Sequence, residues 1–373
     1  MKQLLRVWSL VQTKLRRSLR WIWIYFLYCS GLTKLAKNWI KTSQAVVVLT
    51  LHRVLEDDKD FSRGFSPKGM VVRKTTFESL LNYLTTHCEL IALSDAPAAQ
   101  KRLAARPQVA ISFDDGWKDT FLVAFPLMKT HKIPFSVFVC PGLMGKSFPF
   151  WPEKLLACFR AATTDIGLRE KLTETLASVN IANVYDDSLS DLEEKTESVI
   201  GQIKNWPAQR REVFLNQILA SGTLDCYLSE EQTEATATCE EVIALSFEGA
   251  TIGSHTLHHV LLRDLPESEL EVELRQSKSE IERFLKKPCL ALAYPNGTWT
   301  PGVRLMAERA GYSMAFTNEP GAWLSSSDVF LIPRINIWEG AVTGPSKKFS
   351  KAVFEYAAYW RSYIRARMGE KAE

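Results

Sequence analysis

The chain repeatedly closes a short, unbroken apolar run with a polar residue and follows it with a helical stretch. "AVVVLTLH" ends at His52, and "QVAISFDDG" runs from Val109 to Phe113 into Asp114 and Asp115. "FSVFVC" ends at Cys140, "ATIGSH" at His255, and "LALAYPNG" turns at Tyr294. Apolar runs of this length suit strands buried on both faces, as in a parallel sheet. Helical periodicity is predicted around Thr76 to Thr86, from Thr120 to His131, and from Glu267 to Lys287 behind Pro266. Strand alternating with helix predicts a parallel α/β domain, with "SMAFT" and "VFLIPRI" as its last strands.

The alternation breaks between Trp151 and about Phe247, where the texture is charged and helical, and this reads as an α-helical insertion. Outside it, His52, Asp114, Asp115, His255, Tyr294 and Arg334 fall at or just after the C-terminal ends of predicted strands. That rim is where parallel barrels build their sites.

Three of the six histidines crowd into "IGSHTLHHV", at 255, 258 and 259. On a helical turn His255 and His259 would project to one side, and His255 with His258 would also serve, so spacing leaves both pairs open. Two histidines are too few. A catalytic zinc takes three protein ligands and an open position, and an Asp is the natural third. Asp114 and Asp115 are adjacent at a strand end and point opposite ways, so one can bind a metal while the other faces a reacting water. "DDG" by itself equally suits a helix cap and turn.

Together, "FDDG" after one buried strand and "SHTLHH" after another resemble motifs of the polysaccharide deacetylase family, the NodB-homology or carbohydrate esterase family 4 proteins. "VVVLTLHRVL" is similar to the "YHRV" element of some branches, and "LALAYPNG" to the third motif in its "AYPYG" form. "FDDGWKDTFLVAFPLMKTHKIPFSVFV" resembles the first motif with the helix and strand that follow it. The likeness covers roughly residues 45–145 and 248–340.

The resemblance implies a distorted, TIM-like (β/α)7 barrel over 45–345, interrupted by the helical insertion at about 151–247. It implies one divalent metal ion, usually Zn2+, and hydrolysis of an N-acetyl group on an amino sugar. Carried over by position, Asp114 matches the catalytic base, and Asp115, His255 and His259 match the metal ligands. His258 falls on a variable position. The oxyanion donor is expected at the Asn296 backbone N–H, with Tyr294, Pro295, Gly297 and Trp117 in the same substrate-facing set. His52 is the expected acid for the departing amine, while His87 and His131 read as helix-surface residues. Many members begin the third motif with an Arg that orients the base, where this chain has Ala293. Arg334, in "IPRI", either supplies that charge from another strand or forms a structural ion pair. Val260 stands where Pro is usual and Leu51 where Tyr is frequent.

The net charge of +4 conceals an asymmetry. Ten of the 46 basic residues precede the first acidic one, Glu56, so the remainder has 36 basic against 42 acidic residues. The pI therefore reflects the N-terminus, and no nucleic-acid motif accompanies it. Residues 1–44 hold nine basic and no acidic residues, with Leu4, Trp8, Val11, Leu15, Leu19 and Ile22 along one helical face. "WIWIYFLYC", Trp21 to Cys29, is too short to span a bilayer and lacks a good cleavage site. This predicts a segment lying on an anionic membrane. In the tail, 346–373, Phe349, Val353, Tyr356, Trp360 and Ile364 form a second stripe, read as core packing. Seven scattered cysteines, Cys226 among them, with no CxxC, argue for reduced thiols. The expected location is cytoplasmic and peripheral on the inner membrane, and the expected partner an N-acetylated glycan or lipid-linked saccharide. A metal amidohydrolase for small cyclic amides and a non-catalytic glycan-binding barrel are the competing readings.

Overall fold

The computed structural model describes residues 18–57, 66–147, 149–181, 192–204, 206–219 and 235–369. Ten strands lie among them: β1 (Val46–Leu51), β2 (Arg53–Leu55), β3 (Val71–Arg73), β4 (Glu89–Leu90), β5 (Gln108–Phe113), β6 (Ser136–Val139), β7 (Thr251–Ser254), β8 (Ala291–Ala293), β9 (Met314–Phe316) and β10 (Ile335–Asn336). Seven of these form one curled parallel sheet in the order β10-β1-β5-β6-β7-β8-β9, with β4 paired beside β5 and β2-β3 a separate ribbon. The two ends of the curl approach each other, because Phe316 of β9 bridges Ile332 just ahead of β10. This is the parallel α/β sheet expected from the alternating pattern, curled into the distorted barrel that the resemblance implied.

Both faces of the sheet are buried, which is why its strands read as continuous apolar runs. Val46, Val48, Ala110, Phe138, Ala291, Ala293 and Phe316 pack inside the curl. Val47, Leu49, Val109, Ile111, Ile252 and Leu292 point the other way, into the layer of helices. A strand alternates its side chains with period two, so this parity continues past each strand end. It carries His52, Asp114, His255 and Arg334 onto the inner face. It carries Tyr294 outward, where the side chain joins the sheet–helix core.

Four helices, Trp151–Ala161, Ile166–Ser178, Leu192–Lys204 and Ala208–Leu219, lie between β6 and β7 in the chain. They gather around a core of their own that includes Leu156, Phe159, Leu172, Ile203 and Phe214. The expected strand "VFLIPRI" is reduced to the bridge at Ile332 and the two residues of β10, so Arg334 precedes its strand instead of ending it. Pro333 has no N–H for a ladder, which breaks the run there.

Helical structure covers 18–29 and Leu32–Thr42, and both segments pack against the C-terminal helices that begin at Lys351. Ile24 of the first is fully buried against Ala352 and Val353. The stripe residues Leu4, Trp8, Val11 and Leu15, like Cys226, lie outside the described residues. None of the described helices is long and apolar enough to cross a membrane.

Candidate metal and catalytic site

The inner-face residues at the C-terminal rim open into a cleft of about 560 Å³ lined by His52, Asp115, His255, His259 and Asn296. Its opposite wall comes from the helical segment, through Trp151, Ile200, Lys204 and Arg211.

Asp115 is the hub. Its backbone is left-handed, at φ 71, followed by Gly116 at φ 70, and this tight turn swings the carboxylate over the end of β5. One oxygen, Oδ2, accepts the indole N–H of Trp117 at 3.0 Å. The other, Oδ1, lies 3.4 Å from Nε2 of both His255 and His259 and is buried without a hydrogen-bond partner. A buried carboxylate oxygen left orphaned between two imidazole nitrogens has the donor set and spacing of a metal site. The three candidate ligand atoms lie within 4.8 Å of one another. His255 Nδ1 bonds the Ala293 carbonyl at 2.7 Å, so its N–H points there and the Nε2 lone pair faces the site. Asp115, His255 and His259 therefore fit a divalent ion of the zinc type.

The two histidines do not converge on a helical turn. Residues 255–259 form an irregular bend with Thr256 at φ 68 and His259 at φ 57. Such left-handed residues cost about 1–3 kcal/mol each and persist only when their surroundings fix them. Here Thr256 Oγ1 accepts the His259 N–H at 3.0 Å. Glu273, from the helix Glu267–Leu285, accepts the N–H groups of Leu257 and His258 at 2.9 and 3.0 Å. Its second oxygen meets His258 Nδ1 at 2.7 Å. His258 is thus turned onto Glu273, away from the Asp115 pair.

Asp114 lies beneath the cleft floor, fully buried, with each carboxylate oxygen 2.7 Å from a guanidinium nitrogen of Arg334. Arg334 also donates to the Thr317 carbonyl at 3.0 Å and to Asn318 Oδ1 at 2.7 Å. It lies over the rings of Phe138 and Phe316. Burial, the largest single influence, raises the Asp114 carboxyl, but the charge and hydrogen bonds of Arg334, together with His255 and His52, hold the pKa below the usual carboxylate range. For Asp115, burial is likewise opposed and overcome by the imidazoles of His255, His259 and His52 together, so its pKa is lowered. Burial lowers His259 to about 4 and lowers His52 as well. His255 is raised, because Asp114 and Asp115 outweigh its burial. His52 lines the cleft with Nδ1 buried and unpartnered.

Several expected substrate-facing residues are placed elsewhere. Tyr294 is turned outward by strand parity, and its N–H is taken by the Phe316 carbonyl. Pro295 is buried and has no N–H to offer. The Gly297 N–H turns back to Tyr294 O at 2.7 Å. Of that motif, Asn296 lines the cleft, in a left-handed conformation at φ 55. Trp117 is fully buried and orients Asp115 instead of meeting substrate. Arg53 stacks on Trp117, 4.2 Å from the ring centroid, and bonds Asp119 at 2.7 Å. Sequence reasoning missed Arg53 and Glu273. For Glu273 a signal existed: it is an acidic residue on the inward, uncharged stripe with Leu270, Leu274, Ser277 and Ile281.

Residues 226–315 match the family model described as polysaccharide deacetylase. That interval holds His255, His259 and Asn296 but not His52, Asp114 or Asp115, which reach the site through the fold. YxkH of Bacillus subtilis (strain 168), by its name a candidate polysaccharide deacetylase, is 27% identical over 101 residues. The match takes in 27% of this chain and 36% of YxkH, so it spans about a third of that relative. Among solved structures, the Streptococcus pyogenes deacetylase PplD, in complex with acetate, superposes with a TM-score of 0.51 at 16% identity. That alignment covers 80% of this chain and 94% of PplD. IcaB from Ammonifex degensii gives 0.50 at 17% identity, covering 84% and 96%. At these identities the likeness is one of fold.

Proposed function

We propose that the chain, whose residues 226–315 match the polysaccharide deacetylase model, is a member of that family and hydrolyses the N-acetyl group of an amino sugar in a glycan or lipid-linked saccharide. The observation that carries this reading is the orphaned Asp115 oxygen between His255 and His259, beside an Asp114 held ionised by Arg334.

Asp115, His255 and His259 would hold a divalent ion, with Zn2+ the best match to these donors, which would supply Lewis acidity toward the amide carbonyl and toward a water. Asp114 accepts the proton of the attacking water, using lone pairs that Arg334 leaves free. Oxyanion donation is assigned to the backbone N–H of Asn296, the residue of this motif that lines the cleft. His52 donates a proton to the departing amine. Burial disfavours its imidazolium, so His52 holds the charge only in passing, between taking up the proton that the water gives up and delivering it to the amine. The products are acetate and a free amine.

The test is acetate release from N-acetylated sugars. Wild type should release acetate, chelation should abolish it and Zn2+ restore it, and Asp114→Asn should lower the rate by about 10²-fold or more. Full activity of Asp114→Asn, or indifference to chelation, would overturn the mechanism.

We further propose that the protein lies on an anionic membrane, on its cytoplasmic side. Leu19, Ile22, Trp23 and Phe26 are exposed on one face of the 18–29 helix, within a segment holding nine basic and no acidic residues over 1–44. Co-sedimentation with vesicles containing phosphatidylglycerol, but not with purely zwitterionic ones, is expected. The triple change Ile22→Ser, Trp23→Ser and Phe26→Ser should abolish it.

A further inference from the structure

A second cavity, of about 270 Å³, opens beside the catalytic cleft. The two share Asn318 and Asn336 in their walls, so they adjoin at the barrel rim. Arg20 and Arg361 line the side cavity together with Trp338 and Tyr356. Among the described residues, no carboxylate lines it and neither arginine forms an ion pair. The catalytic cleft is different, because its cations Lys204 and Arg211 share their wall with Glu153 and Glu197. The side cavity is therefore the place near the site where positive charge is uncompensated. Arginine's planar fork matches a phosphate oxygen pair.

The helix that delivers Arg20 adds direction. At 100° per residue, Arg20 falls on the same side as Ile24 and Leu27, which are fully buried. Leu19, Ile22, Trp23 and Phe26 occupy the flanking arc, roughly 60–160° round the helix from Arg20, and are about half exposed. One helix thus presents a cation to the cavity and an apolar, aromatic face outward. A ligand with an acetylated sugar in the catalytic cleft, a phosphate in the side cavity and a hydrocarbon chain leaving along the outer face would match all three surfaces in order.

We infer that Arg20 and Arg361 bind the phosphate joining a membrane-borne lipid to the acetylated sugar, making a lipid-phosphate-linked saccharide the substrate. This rests on the deacetylase reading for the sugar's position, but its test does not depend on turnover. Equilibrium binding is measured in detergent micelles with two ligands, a short prenyl-phosphate-linked N-acetylglucosamine and a neutral prenyl glycoside of equal length. The combined Arg20→Gln, Arg361→Gln change should weaken the phosphate ligand at least tenfold and shift the neutral one less than twofold. Arg361→Lys, which keeps the charge, should fall between. Both arginines are exposed, so the fold should tolerate the changes. Equal weakening of both ligands, or of neither, overturns the inference. So does inorganic phosphate binding as tightly as the lipid-linked ligand, which would make the cavity a general anion site. Selective binding without acetate release from either ligand would overturn the catalytic reading and leave the phosphate site standing.

Discussion

Arg334 and Asp114, 220 residues apart, meet through two 2.7 Å hydrogen bonds with both side chains shielded from solvent. Removing one partner of such a pair strands a buried charge, at a cost of about 3–5 kcal/mol. Arg334→Gln should lower the stability measured by denaturant unfolding by that amount. It should also change the pH profile. The depressed Asp114 pKa keeps the base ionised, and its stabilisation intact, until the pH falls through that low value. Without Arg334, burial pushes the carboxyl up, so the acid limb of kcat/KM should move to higher pH. A slower enzyme with an unmoved acid limb would show that Asp114 is not the titrating base.

Metal binding offers a control inside one short segment. His255→Ala and His259→Ala each delete a ligand facing Asp115 Oδ1 and should weaken Zn2+ binding by about 10²-fold or more, read by calorimetry on chelator-treated protein. His258 faces Glu273, so His258→Gln should stay within about threefold of wild type. Equal losses at all three positions would sink the assignment.

Glu273 touches no ligand atom, yet it holds the 255–259 bend through two backbone amides and His258. Glu273→Ala should cost about 1–3 kcal/mol in stability by leaving buried donors unpaired. It should also lower Zn2+ affinity by about 10–100-fold while every ligand remains. Affinity unchanged in a destabilised variant would confine Glu273 to folding.

Gly297 has φ +67, and a Cβ there would overlap the backbone nitrogen of Asn318. Gly297→Ala should lower stability by about 1–3 kcal/mol. Because Asn318 accepts from Arg334, the change should also reduce kcat more than it raises KM. A thermal midpoint equal to wild type would mean that the turn relaxes freely.

The strand runs and the placement of His52, Asp114 and His255 at strand ends were legible because an apolar run and its polar stop are local properties of the chain, whereas the barrel class came from the resemblance. Side-chain parity, applied to Ala291 and Ala293, would have sent Tyr294 outward; reading the motif as a block concealed that. The HxxxH spacing suggested a helical turn, but left-handed residues at Thr256 and His259 build a bend that local periodicity does not encode. Trp117 reads as a substrate aromatic until the fold brings its N–H to Asp115 Oδ2.

By itself the sequence determined that His52, Asp114 and His255 could reach the rim, since each is tied to the end of its own strand by period-two geometry. Tertiary structure alone decided which of them meet. Arg334 takes the place of a cation missing at Ala293, Glu273 anchors a bend that begins 18 residues earlier, and Asn318 and Asn336 join two cavities. These pairings depend on how strands and helices pack in three dimensions, and long-range packing leaves no period in the chain from which they could be read.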